Sequence, residues 1–576
     1  MPLRICLVTP HSWSQAHDAN EHVKGVAQAL RARGHDVVVL APSARARDLQ
    51  AGRRALQSGS LSGVVTIATA VPVSPRSSLS IPVGVRASVA AALQLGHFDV
   101  VHGIDPGVPG LSYVALGEAE TTTVATFLDA ERISYPARKN LRNRLLARID
   151  TLIAPTAEIA ETVAARFPGA YETVPLGVTE PDDISKTNLI VVETTAAALP
   201  AVRSAIRALH ELPDWEVVVV RTTKLAARPA IPSVLRPRVR VRTAETAAAR
   251  ADLLARAAIV VPAAEGSSRL AVEAATAGCA LVAPPGLADQ PELAGAAILR
   301  LAESAAVRAT ETKRAQATLD CSSFHDVAER LEQLYLEAAA RRRPSVRRDA
   351  EPLADRDWIL ADLHMHTSWS GDCSIEVDAL IDHAESEGLG AIAVTDHNVF
   401  GGALEAVELA RGRDLIVIPG EEVKTDNQGE VIGLFLREEI PRGMSFADTI
   451  AAIREQDGIV YVPHPFDRMH AIPSPATLHR NLPELDVFEV YNARLLFDAY
   501  NDEALRFARK YGLLAGAGSD AHVLQGVGTG CLRLRRFDGP EEFLLALRTA
   551  EVVRRPKSLA LLQSLKWVAQ VKEKVR

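Results

Sequence analysis

Towards the rear of the chain, imidazoles and carboxylates recur at intervals that suit a shared cation: His364 and His366 at i and i+2, Asp372, Asp396 with His397, Glu421 with Glu422, His464, and Asp520 with His522. A single histidine beside an apolar run is usually a satisfied structural group. A whole set of them is different, because buried charge without a partner or a metal is costly. The chemistry expected of the set is metal-dependent hydrolysis. A pair of ions would lower the pKa of a water molecule and polarise the substrate, so no serine or cysteine nucleophile is needed.

Short apolar runs must deliver these side chains. Residues 358–363 read as a buried strand that ends in the two histidines, and on a strand i and i+2 project to one side. Runs at 391–395, 415–419, 459–462 and 513–517 each end in another candidate, and patterns such as 377–388 read as intervening helices. Strands that alternate with helices and carry their working residues at one rim describe a βα barrel of the TIM-like kind.

The strings Asp362-Leu-His-Met-His-Thr367, Thr395-Asp-His-Asn398, Gly420-Glu-Glu422, Pro463-His464 and Gly518-Ser-Asp-Ala-His522 closely resemble the PHP (polymerase and histidinol phosphatase) family over about residues 358–555. That resemblance implies a distorted seven-stranded βα barrel, phosphoester hydrolysis, and two or three divalent ions, usually zinc, manganese or iron. Carried onto this sequence, it gives the first ion His364, His366, Glu422 and Asp520. Glu422 bridges to a second ion, also held by His464, and the third takes Asp372, His397 and His522. Many relatives place a further histidine after the Gly-x-Glu, where this chain offers Glu430. A carboxylate there lowers the net charge of the site and favours harder metals.

Asp396 is expected as a base or proton shuttle beside His397, itself also a catalytic candidate. Arg494 and Arg468 are candidate phosphate clamps, and Asn492 could orient substrate. The expected substrate is a phosphorylated small molecule or a short oligonucleotide. A non-phosphate ester is a neighbouring reading, since activated water does not itself choose between acyl and phosphoryl centres.

The chain's 576 residues, 48% hydrophobic, suffice for about three cores. No stretch is long and apolar enough to span a bilayer, and the first residues read as a strand rather than a signal peptide, so the expected location is cytoplasmic. Five scattered cysteines form no CxxC pair, which suits a reducing compartment. A net charge of −7 argues against broad nucleic-acid coating.

In front of the barrel the pattern changes to alternating strands and helices without a ligand cluster. Runs at 4–8, 36–40, 99–102 and 151–154 read as buried strands, with a helix over about 20–33 closed by Gly34. A second series begins at 188–192, 216–220 and 258–261. Two doubly wound, Rossmann-like halves facing across a cleft follow from that order. Residues 29–37, 98–102, 174–178, Glu265-Gly266 and Glu273 are similar to the GT-B-fold glycosyltransferases related to family four. The resemblance implies that Glu265, Gly266 and Glu273 contact a nucleotide-sugar donor. The chain departs from the pattern in three places: residues 16–22 replace a glycine-rich loop, Glu193-Thr194 replaces a Gly-Arg pair, and no lysine lies between Lys186 and Lys224. A diphosphate would meet Glu193 rather than a cation.

The expected organisation is a Rossmann-like half at 1–180 and another at 181–338, an Arg/Pro linker at 339–357, the barrel at 358–555 and a basic amphipathic helix at 556–576. The helix is expected to dock on the chain itself rather than on a membrane surface. Three functions are compatible with these parts: a phosphoesterase carried on a glycosyltransferase-like module, a bifunctional hydrolase and sugar transferase, or a hydrolase localised by a front module that only binds a sugar or a partner.

Overall fold

The computed structural model describes residues 2–74, 77–80, 84–128, 133–179, 185–194, 198–221, 229–244, 246–263, 268–282, 293–319, 322–342, 353–467, 469, 471–557 and 564. The expected linker falls largely outside these, as does the expected C-terminal helix. The chain divides into two compact units, one made of Met1–Leu145 and Ile149–Ala338, the other of Leu146–Arg148 and Ala339–Arg576. Among the described residues no helix is long and apolar enough to cross a membrane.

The first unit holds two sheets. In one, eight strands run in the order 77–80, 64–74, 36–43, 4–8, 100–104, 122–126, 151–154 and 171–173, all parallel except the first pair. The other has five parallel strands in the order 239–243, 216–221, 189–193, 259–261 and 280–281. Strands such as Val100–Ile104 and Leu189–Glu193 are buried along their whole length. Parallel strands covered by helices on both faces need such continuous apolar runs, which is why they could be read from the sequence. The first helix, Asp18–Ala32, is capped by His17, whose Nδ1 accepts from the Ala19 amide at 3.2 Å.

The second unit is built on one sheet of nine strands: Leu514–Gly518, Val487–Asn492, Ile459–Val462, Glu430–Leu434, Ile416–Lys424, Ala391–Val394, Trp358–Met365, Gly530–Arg535 and Glu551–Arg554. The seven strands expected are therefore nine. The five residues between Lys424 and Glu430 are too few for a crossover helix, so Glu430–Leu434 turns back antiparallel, with Gly429 at φ +84° in the turn. Gly530–Arg535 and Glu551–Arg554 add antiparallel strands beyond Trp358–Met365. The sheet nearly closes: the Asp520 amide donates to the His364 carbonyl at 2.7 Å and the His366 amide to the Ala521 carbonyl at 3.1 Å. Close approach at this seam needs glycine at 518, where a Cβ would stand 2.3 Å from that of His364.

Candidate metal centre

Alternation along Trp358–Met365 and just beyond it puts Asp362, His364 and His366 on one side, and all three are fully buried. Asp362 holds the seam, accepting from the Ser519 and Gly528 amides at 2.9 Å each. His364 and His366 point into the space that Glu422, His464, Asp520 and His522 also reach. Glu422 and Glu430 share a face of the hairpin, because Glu422 pairs with Ile432 and Lys424 with Glu430. Two of these residues hold left-handed backbone, His464 at φ 26° and Asp520 at φ 52°. Non-glycine residues in that region are strained and persist where their surroundings over-determine them, as functional sites often do.

The donor atoms form overlapping groups in which every member lies within 4.8 Å of the others: His366, His397 and His522; His364, His366 and Asp520; His364, Glu422 and His464; His397, Glu422 and Glu430. Asp372 joins the edge, its Oδ2 2.9 Å from His522 Nε2. The eight side chains that the resemblance implied as ligands, and Glu430 beside them, thus converge.

The arrangement fits divalent ions. His397 Nδ1 is 2.9 Å from Glu422 Oε2, His464 Nε2 3.0 Å from Glu422 Oε1, His364 Nε2 3.3 Å from Glu422 Oε2 and His366 Nε2 3.4 Å from Asp520 Oδ1. Ligands about 2.1 Å from one ion, in a tetrahedron or octahedron, stand roughly 3.0–3.4 Å from each other. Among the described residues, Nδ1 of His366 is buried without a hydrogen-bond partner. Burial, together with the nearby His522 and His397, holds the His366 imidazole well below its ordinary pKa, so it stays neutral and able to ligate. Burial opposes charge on Glu422 and Asp520, but the histidines around Glu422, and Arg494 beside Asp520, keep both carboxylates ionised well below the usual range.

The other candidates fall into two places. Arg494 lies at the centre, its Nη1 donating to Asp520 Oδ1 at 3.0 Å and standing 3.1 Å from His522 Nδ1. Asp396 faces the 367–370 loop instead: it accepts from the Thr367 amide at 2.7 Å, the Thr367 hydroxyl at 2.6 Å and the Ser370 hydroxyl at 2.8 Å. Ser370 in turn accepts from the His397 amide at 2.9 Å. Asn492 is buried and donates to Glu489 at 3.0 Å and to Asp520 at 3.3 Å. Arg468 lies outside the described residues.

Comparison with known proteins bears on both units. The PHP domain model matches residues 362–507, the PHP-associated model residues 498–552 and the Glycosyltransferase Family 4 model residues 19–180. Through its C-terminal unit the chain belongs to the PHP family. An uncharacterised protein of Methanocaldococcus jannaschii is 33% identical over 211 residues, 34% of this chain and 84% of that protein. The phosphatidyl-myo-inositol mannosyltransferase of Propionibacterium freudenreichii is 32% identical over 177 residues, 30% of this chain and 45% of that protein. The crystal structure of a candidate metal-dependent phosphoesterase from Bifidobacterium adolescentis has 18% identity and a TM-score of 0.26, covering 28% of this chain and 87% of that one.

Outside the PHP unit, Glu265 and Gly266 lie beyond the described residues. Glu273 is engaged on both oxygens: Arg250 donates to Oε2 at 2.6 Å and to Oε1 at 2.8 Å, and Arg269 to Oε1 at 2.9 Å. Arg269 also donates to the Asp18 carbonyl at 3.2 Å. All three side chains are buried. Glu193, also buried, accepts from the Ala263 amide at 3.1 Å.

Sequence reading gave no role to two residues of the PHP unit. Asp362 and Glu489 are carboxylates inside apolar strands, buried to 0% and 1% exposure. A charge in the middle of the run 487–491 was the available signal, since such a group survives burial only when hydrogen bonds surround it.

Proposed function

We propose that the PHP unit hydrolyses a phosphomonoester or phosphodiester using two or three divalent ions (zinc, manganese or iron). His364, His366, Glu422 and Asp520 would hold the first ion. Glu422, His464 and Glu430 would hold the second, and Asp372, His397 and His522 the third. Such ions supply acidified water and draw charge from the phosphoryl oxygens. The chain's own groups do the rest. Glu422 offers one oxygen to His464 and the other to His397 and His364, which suits a bridging carboxylate. Arg494, one quarter exposed, can present its remaining N–H groups to a substrate phosphate while Asp520 anchors it. Asp396 keeps the His397 backbone in place through Ser370.

The convergence of nine ligand-type side chains carries this reading. Metal analysis of the purified chain, with a screen of phosphomonoesters and phosphodiesters with and without chelator, tests it. A metal-free chain whose activity ignores chelator would refute it. The substrate is proposed as a phosphorylated small molecule or a short oligonucleotide. The boundaries 1–180, 181–338, 339–357, 358–555 and 556–576 belong to the same proposal.

For the front unit, the clamp on Glu273 favours a module that binds a sugar or a partner without transferring sugar. Arginines take three of the roughly four acceptor sites on the carboxylate that a donor would need. Binding of a nucleotide diphosphate-sugar without turnover supports this reading. Donor turnover by the wild-type chain would instead establish the bifunctional enzyme.

A further inference from the structure

Glu489 lies in the middle of Val487–Asn492, buried to 1% exposure and one layer behind the metal-facing atoms. Four donors from three strands and their ends meet its carboxylate. Oε1 accepts from His364 Nδ1 at 3.0 Å and from the Tyr461 hydroxyl at 2.9 Å. Oε2 accepts from the His464 amide at 2.6 Å and from Asn492 Nδ2 at 3.0 Å. Asn492 Nδ2 also reaches Asp520 at 3.3 Å.

We infer that Glu489 is the positioning residue of the metal centre, fixing the tautomer of His364 and the strained backbone of His464 with one carboxylate. This rests on the proposed reading of the centre. Its bond to Nδ1–H leaves the lone pair of His364 on Nε2, the atom that faces Glu422 at 3.3 Å. A hydrogen-bonded carboxylate behind a ligating imidazole orients the ring and raises its basicity. The bond to the His464 amide holds that residue at φ 26°, which turns its Nε2 to within 3.0 Å of Glu422. Through Asn492 the same group steadies Asp520, so ligands from three places in the sheet share one support.

A carboxylate accepting on both oxygens satisfies this arrangement. An amide would turn one of its edges into a donor. Were that edge to face His364, the imidazole could restore the bond only by moving its proton to Nε2, where it would block ligation.

Titration calorimetry with Zn²⁺ and Mn²⁺ on the chelated full chain tests the inference, with circular dichroism on each protein. Glu489→Gln should weaken metal binding by about 10–100-fold. Tyr461→Phe, which removes one donor and leaves the tautomer alone, should weaken it by less than about fivefold. If the Gln protein is unfolded, Glu489→Asp carries the test. It keeps the charge, withdraws it by one methylene, and should weaken binding by about tenfold. A folded Gln or Asp protein with wild-type affinity overturns the inference and leaves the metal centre standing. A wild-type chain that binds neither ion overturns both.

Discussion

His397 Nδ1 lies 2.9 Å from Oε2 of Glu422, joining the end of one strand to the next through charge. Burial disfavours the charged imidazole, but this carboxylate outweighs it and pushes His397 up to about 9; the same opposition puts His464 at about 9. In the metal-free protein both histidines are therefore protonated at neutral pH. Their ion pairs contribute full stability below about pH 6.5, and that contribution is lost as pH rises through about 9. A cation must displace those protons. Metal affinity should climb as pH rises through about 9, with proton release on binding. Chelator competition from about pH 6 to about pH 10 measures this, and a flat profile would rule it out.

Removing a central ligand should abolish hydrolysis. His364→Ala or Asp520→Ala each takes a donor from a buried group of three. Activity should fall by more than about 100-fold, together with metal content. Asp520→Ala also leaves Arg494 without its partner at 3.0 Å, so the metal-free protein should melt earlier. Full activity in either protein would reject the ligand assignment.

Arg494→Met should separate substrate binding from metal binding. The guanidinium touches Asp520 and His522 but is not itself a donor to a cation. We expect metal content to persist and kcat/KM to fall by about 10–100-fold, since a bidentate phosphate contact is lost. Arg494→Lys should restore only part of it, because a lysine offers one point charge in place of a planar fork. Loss of metal in step with activity would place Arg494 among the supports of the centre instead.

Much of the site was legible because its chemistry is written at strand ends. The runs before His364, Asp396, Glu422, His464 and Asp520 are apolar, and each became a strand of the PHP unit. What escaped reading was set by pairing rather than composition. The hairpin that brings Glu430 beside Glu422 depends on the short turn at Gly429. In Gly530–Arg535 only Leu532-Arg-Leu-Arg535 alternates apolar with polar residues, and it could be any half-exposed strand. Glu489 looks like a misplaced charge until four donors are seen around it. For Asp396, adjacency to His397 suggested a base or proton shuttle, and its oxygens accept from Thr367 and Ser370.

Glu273 gives the front unit its own test, independent of hydrolysis. Two buried guanidinium groups share its carboxylate, Arg250 at 2.6 Å and Arg269 at 2.9 Å. Removing the acid takes the shared carboxylate from two buried guanidinium groups, which costs more than losing a surface ion pair. Glu273→Ala should therefore destabilise the first unit by about 3–5 kcal/mol. Calorimetry should show the transition of the first unit at lower temperature, while metal binding and phosphoester hydrolysis stay at wild-type levels. Replacing all three residues by apolar side chains of similar volume should recover most of the loss, because no buried charge then remains to be desolvated. A Glu273→Ala protein that melts like wild type would show that solvent reaches these arginines, and the clamp would then give no ground for preferring a module that binds without transferring sugar.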